Sequence, residues 1–237
     1  SEVKAFETND RYVYVAGDAT ASYLHGPVKR EGQADLPEKV SLVTRQLVFL
    51  MPNHFVVFDR VVATDPSYRK EWLLHTAHEP AIEGKQFRAD HEEGRLFCRT
   101  LLPEDAVLTP VGGPGREFWA AGQNWTIKPG KLKPEQLAMM GQWRVEVSPG
   151  AARAEDHFLH VLQVGDQKVS AMDPVEVLRE GEMAGARIRI GETTWEVLFN
   201  TKGDLGGRIR RRGDDAPLDR ALTQTVTPQV GILALPE

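Results

Sequence analysis

Apolar and polar positions alternate with a period of two along most of this chain, the signature of half-buried β-strands. "RYVYV" at Arg11–Val15 sets Tyr12 and Tyr14 on one face and Val13 and Val15 on the other. "KVSLVTRQLVFLM" (Lys39–Met51) is long and rich in β-branched residues, and "HFVVFDRVVAT" (His54–Thr64) follows a Pro52-Asn53 turn. "YRKEWLLHTA" (Tyr68–Ala77) comes after Asp65-Pro66. These three segments have short polar turns and no room for a crossover helix, so they are expected to form an antiparallel meander.

The pattern predicts further strands at Gly94–Leu102, Glu117–Gly122, Gln142–Pro149, Asp156–Gly165, Pro174–Glu180, Gly185–Gly191, Thr193–Asn200 and Gly207–Gly213. Turn signals recur at the spacing of a sandwich or barrel. The one good helical candidate is short, "KPEQLAMM" at Lys133–Met140, with Pro134 near its first turn. The expected class is all-β: a large antiparallel multi-stranded β-sandwich of stacked sheets with at most one or two short helices. One domain over residues 1–237 is the reading. From Met172 onward the strands are shorter and carry alternating Arg and Glu, as a smaller sub-sheet (172–237) or the outer layer of the same sandwich would.

With 237 residues and 41% hydrophobic residues the chain can bury a sizeable core. A net charge of −5 argues against a general nucleic-acid binder. The single cysteine, Cys98, rules out an internal disulfide. No run is apolar and long enough to cross a membrane as a helix, and the first residues carry no apolar signal core.

Several stretches invite a chemical reading. "EWLLHTAHEP" (Glu71–Pro80) places His75, His78 and Glu79 together. On a helix they would share a face and could gather zinc. In a strand, the better reading given Trp72, Leu73, Leu74 and Thr76, His75 and His78 point to opposite faces. His75 is then expected to be a structural histidine in or beside the core. Asp18 in "GDAT" reads as a turn residue that bonds its own backbone. Asp59 and Arg60 lie inside an apolar strand; a buried Asp59 needs a partner, and Arg45 on the neighbouring strand can supply one.

"GGPG" (Gly112–Gly115) lacks the following Gly-Lys-Ser/Thr and the helix that a phosphate loop requires. It reads as a tight loop ahead of Trp119, Asn124 and Trp125. Trp125 is a candidate for stacking on sugar rings, or else a packed residue; Trp119 is assigned to the core. Arg208, Arg210 and Arg212 fall on one face of a strand. That stripe suits sulfates or carboxylates, or a charge-protected edge. No complete catalytic set assembles from these pieces.

In order, "YVYVAGDATASY" (Tyr12–Tyr23), "VTRQLVFLMPNHFVVFDRV" (Val43–Val61), "KEWLLHTAHEP" (Lys70–Pro80), "GRLFCRTLLPEDA" (Gly94–Ala106), "VGGPGREFWAAGQNW" (Val111–Trp125) and "WRVEVSPGAARAEDHFLHVLQV" (Trp143–Val164) resemble the C-terminal β-sandwich region of heparinase II/III-like polysaccharide lyases. The resemblance implies an N-terminal α-helical toroid in the parent enzyme and β-elimination of uronate-containing polysaccharides. There the carboxylate beside C5 is neutralised, a tyrosine or histidine takes the C5 proton, and an acid protonates the leaving oxygen. It also implies a periplasmic or secreted setting, an anionic polysaccharide as partner, a divalent metal such as zinc in the parent, and a homodimer. The family's histidine-rich and metal-ligand strands precede the "GDAT" motif, so no catalytic and no metal-binding residue is carried over to this chain. Asp18, Arg45, Asp59 and His75 match as framework positions.

Overall fold

A computed structural model describes residues 1–24, 37–127, 130–213 and 217–226. The chain runs through β1 (Glu2–Thr8), β2 (Tyr12–Asp18), the single turn α1 (Thr20–Tyr23), β3 (Val40–Leu50), β4 (His54–Ala63), β5 (Trp72–Thr76), β6 (Ala81–Glu83), β7 (Gln86–His91), β8 (Gly94–Leu102) and β9 (Val107–Gly112). It continues through β10 (Trp119–Ala120), β11 (Gln123–Asn124), α2 (Pro134–Ala138), β12 (Trp143–Ser148), β13 (Glu155–Asp166), β14 (Val175–Glu180), β15 (Met183–Ile190), β16 (Thr193–Asn200), β17 (Gly207–Arg212) and β18 (Leu218–Leu222). All the strand pairings within the sheets are antiparallel, and the helices are two short turns: the all-β, stacked-sheet class read from the periodicity.

The sheets form three layers. The middle layer has eight strands in the order β1-β2-β3-β4-β13-β8-β7-β6. On one of its faces lies a five-stranded sheet, β14 to β18 in sequence order; on the other lies a three-stranded sheet, β5-β12-β9. The alternation explains the layering. Tyr12, Tyr14, Val48, Leu50, Val56, Phe58, Leu159 and Val161 point one way and meet Ala186, Ile188, Trp195, Val197, Phe199 and Ile209 of the five-stranded sheet. Phe58 and Phe199, both fully buried, stack with centroids 5.3 Å apart. Phe87, Cys98 and Phe158 point the other way and meet Trp72, Val145 and Val147 of the small sheet. Inside the larger core Gln46 Oε1 accepts from Tyr14 Oη at 2.7 Å and from the Gly206 amide at 2.8 Å.

Two expectations change. The strand at Tyr68–Ala77 does not continue the β3–β4 meander. β5 crosses to the small sheet and pairs with β12, while β13 takes the place beside β4. A strand covered by other layers on both faces must be buried on both. β13 satisfies this through Phe158, Leu159, His160 and Val161, all buried, whereas β5 exposes Leu73 and His75. The strand at Glu117–Gly122 shrinks to the two-residue β10, hairpinned with β11. The "GGPG" stretch is a tight loop. A Cβ on Gly112 (φ +156°) or Gly113 (φ +79°) would come within 2.7 Å of the Trp143 ring, so this approach needs glycine.

Candidate functional site

The three-stranded sheet covers only part of its face of the central sheet. Beside it runs a groove of about 510 Å³, floored by Val43, Asp59, Val61 and Phe158 and rimmed by Tyr23, Arg45 and Arg69–Leu73. Each wall follows from local structure. Asp18 accepts from the Thr20 amide at 2.8 Å, the turn expected from its sequence, and the Thr20 hydroxyl, then this amide, lower its carboxyl below the usual range. That turn launches α1, which brings Tyr23, 56% exposed, to the groove.

Arg45 and Asp59 stand directly opposite across β3 and β4. The guanidinium grips the carboxylate with two bonds of 2.7 Å, the pairing anticipated from the sequence. Burial pushes the Asp59 carboxyl up, and Arg45 works against that; the same pair holds the Arg45 proton more firmly.

At the rim, Arg69 reaches both Glu71 and Glu146, and Arg144 forks onto Glu146 at 2.5 and 2.9 Å. Burial, then the nearby Glu146 carboxylate, raises Glu71. Lys70 is buried against Asp156 at 3.0 Å and also donates to the Arg153 carbonyl. These carboxylate–cation contacts join residues up to 86 positions apart in sequence, and no local pattern announces them. The rim cations are therefore balanced by carboxylates. The groove offers an apolar floor and a polar, nearly neutral edge, without a nucleophile and base in contact.

The sequence-selected residues fall in separate places. Arg208, Arg210 and Arg212 lie on the five-stranded sheet, on the face away from Ile209. They are interleaved with acids: Arg208 bonds Asp219 at 2.6 Å, Arg210 bonds Glu180 at 2.6 and 2.9 Å, and Arg212 lies 3.8 Å from Glu196. Trp125 is on the far side of the central sheet, beyond the β10–β11 hairpin. Its indole N–H donates to the Ala120 carbonyl at 3.0 Å and the side chain is 59% exposed. Trp119 is half-buried under the Arg116 guanidinium, 5.0 Å from its ring, and is not core.

β5 ends at Thr76, so His78 is not in the strand; its carbonyl accepts from the Thr76 hydroxyl at 2.7 Å. His75 stays on the solvent side of the small sheet, outside the core, because the strand's other face is filled by Trp72 and Thr76. Among the described residues no group of three or more His, Cys, Asp or Glu is placed to hold a metal ion.

The fold has solved counterparts. The chain matches heparan sulfate lyase HepC from Pedobacter heparinus with a TM-score of 0.51 at 12% identity, over 85% of this chain and 28% of that one. It matches the heparinase III-BT4657 gene product with methylated lysines at a TM-score of 0.51 and 11% identity, over 93% of this chain and 27% of that one. The fold is that of a portion of heparinase III-type lyases. This chain thus spans little more than a quarter of the structures it resembles. No family model matches the sequence, and no curated protein does.

Proposed function

We propose that this chain is the β-sandwich part of a heparinase III-type lyase, which cleaves uronate-containing polysaccharides by β-elimination outside the cytoplasm. The catalytic toroid and catalytic histidines belong to the rest of the enzyme. One observation carries this beyond fold likeness. On the face of the central sheet that holds the groove, Val13, Val15, Leu47, Phe49 and Phe55 are only half-buried and belong to neither core. They form a continuous apolar patch, with Val13 opposite Phe49, Val15 opposite Leu47, and Phe49 stacked on Phe55 at 4.5 Å. An apolar sheet face of that extent is the kind of surface a further domain covers.

The test is ultraviolet absorbance of unsaturated uronate product from heparan sulfate, heparin, chondroitin sulfate and alginate. The chain alone should be silent, and addition of the toroid part of such a lyase should restore cleavage. Product from the chain alone overturns the assignment of chemistry to the rest of the enzyme.

A second reading, a carbohydrate-binding module, is favoured by Trp125. Its indole is exposed yet fixed in orientation by its hydrogen bond, as a sugar platform requires. Saturable binding of heparan oligosaccharides that is lost in Trp125→Ala, with no activity on complementation, would select it.

A further inference from the structure

His78 and His91 meet at the open end of the β6–β7 hairpin, where the register that sets Ala81 opposite Arg88, continued by three residues, sets them opposite each other. His78 lies just past β5 of the small sheet, and His91 ends β7 of the central sheet. His91 Nδ1 and His78 Nε2 face each other at 3.4 Å, with ring centroids 5.3 Å apart and ring planes inclined by 39°. A straight N–H···N bond of that length would hold the centroids about 5.7 Å apart, since each ring nitrogen sits about 1.15 Å from its centroid. The observed separation is met if the two nitrogen axes bend toward a common point by about 35° each.

A tetrahedral ion imposes that geometry. Two imidazole nitrogens at about 2.0–2.1 Å from zinc, subtending the tetrahedral angle, are about 3.3–3.4 Å apart, with centroids about 5.2 Å apart. An octahedral ion at similar bond lengths would draw the nitrogens to about 3.0 Å.

We propose that His78 and His91 form a two-histidine site for a divalent transition ion of the zinc type. His91 ligates through Nδ1 and His78 through Nε2, each ring carrying its proton on the other nitrogen. His78 is exposed and His91 half-buried, so the ion enters from solvent, and water fills the two remaining positions. Asp90, the neighbour of His91, is held by Arg95 at 2.7 and 2.9 Å and does not compete. Bound, the ion clamps the open end of the β6–β7 hairpin, where the chain arrives from β5. Imidazole ligands select zinc, cobalt, nickel or copper over calcium and magnesium, which take oxygen.

The test is a titration of tag-free protein with Co²⁺ at neutral pH, followed by the visible ligand-field bands, and then displacement by Zn²⁺. The expected result is one Co²⁺ per chain with the intense spectrum of tetrahedral cobalt, displaced by Zn²⁺ and not by Ca²⁺ or Mg²⁺. His78→Ala and His91→Ala should each weaken binding by about tenfold or more. His75→Ala, which alters a histidine outside this pair, should leave it unchanged. No saturable band, an octahedral spectrum, or a band that survives both substitutions overturns the site. Both side chains lie at the surface, so circular dichroism of the variants should be that of the parent.

Discussion

The two faces of the central sheet have opposite fates. One is sealed by the five-stranded sheet, with Tyr12, Tyr14, Val48, Val56, Phe58 and Val161 all essentially inaccessible. The other is shared between the three-stranded sheet, a groove with a polar rim and an apolar patch that no described residue covers. The same strands make both faces, and their alternation is equally regular on each. Alternation thus creates two apolar surfaces, but only layering turns a surface into a core. The sealed face is where stability resides; the open face is where function and partners are to be sought.

The comparison is broken most directly at Phe58. Phe58→Ala removes one ring of the Phe58–Phe199 stack and should cost about 3–5 kcal/mol in denaturant unfolding. A value as small as that of Phe49→Ala would mean that the five-stranded sheet does not seal the core.

Acid should attack the layer under the small sheet. His160 is fully buried, stacks on Trp72 at 3.8 Å and contacts the Thr100 hydroxyl at 3.1 Å. Burial lowers its pKa to about 3. The folded state holds this ring neutral while the unfolded chain takes up a proton below about pH 6.5, so folding loses stability as pH falls through that window. The slope is about 1.4 kcal/mol per pH unit for this one group. Burial lowers His54 and His157 in the same direction. Chemical denaturation between pH 6.5 and 4 should show the fall, and His160→Gln should flatten it; an unchanged slope in that variant would place the proton uptake elsewhere.

Arg45→Ala leaves Asp59 buried without its cation and should cost about 1–3 kcal/mol, because the carboxylate lines a groove open to solvent and not a closed interior. The double substitution with Asp59→Asn should recover part of that loss in a thermodynamic cycle. On the open face, Phe49→Ala should cost less, about 1–2 kcal/mol, and should reduce binding of a hydrophobic dye to the native protein. The smallest effect is expected at Arg212→Ala, below about 0.5 kcal/mol, since the side chain is 66% exposed and 3.8 Å from its acid.

The Arg45–Asp59 pair was legible before any fold was known: an aspartate in an apolar run needs a cation, and an adjacent strand carried one. The Asp18 turn was legible for the same reason, since its bond spans two residues. The rest of the groove was not. Lys70 finds Asp156, and Arg69 finds Glu146, only because β12 and β13 return to lie beside earlier strands.

What the sequence by itself determined is therefore what local geometry controls. The two-residue period of an extended backbone decided the β class and the strand positions at β3, β4, β8, β13 and β16, and the glycines of Gly112–Gly115 decided a tight loop. The tertiary structure alone decided which strands are neighbours. β13, not β5, lies beside β4, because a strand covered by layers on both faces must be buried on both and only the assembled layers reveal which strand that is. It also brought Lys70 to Asp156 and set acids between the arginines of β17. Each of those approaches depends on burial summed over a whole layer, which no short window of sequence contains.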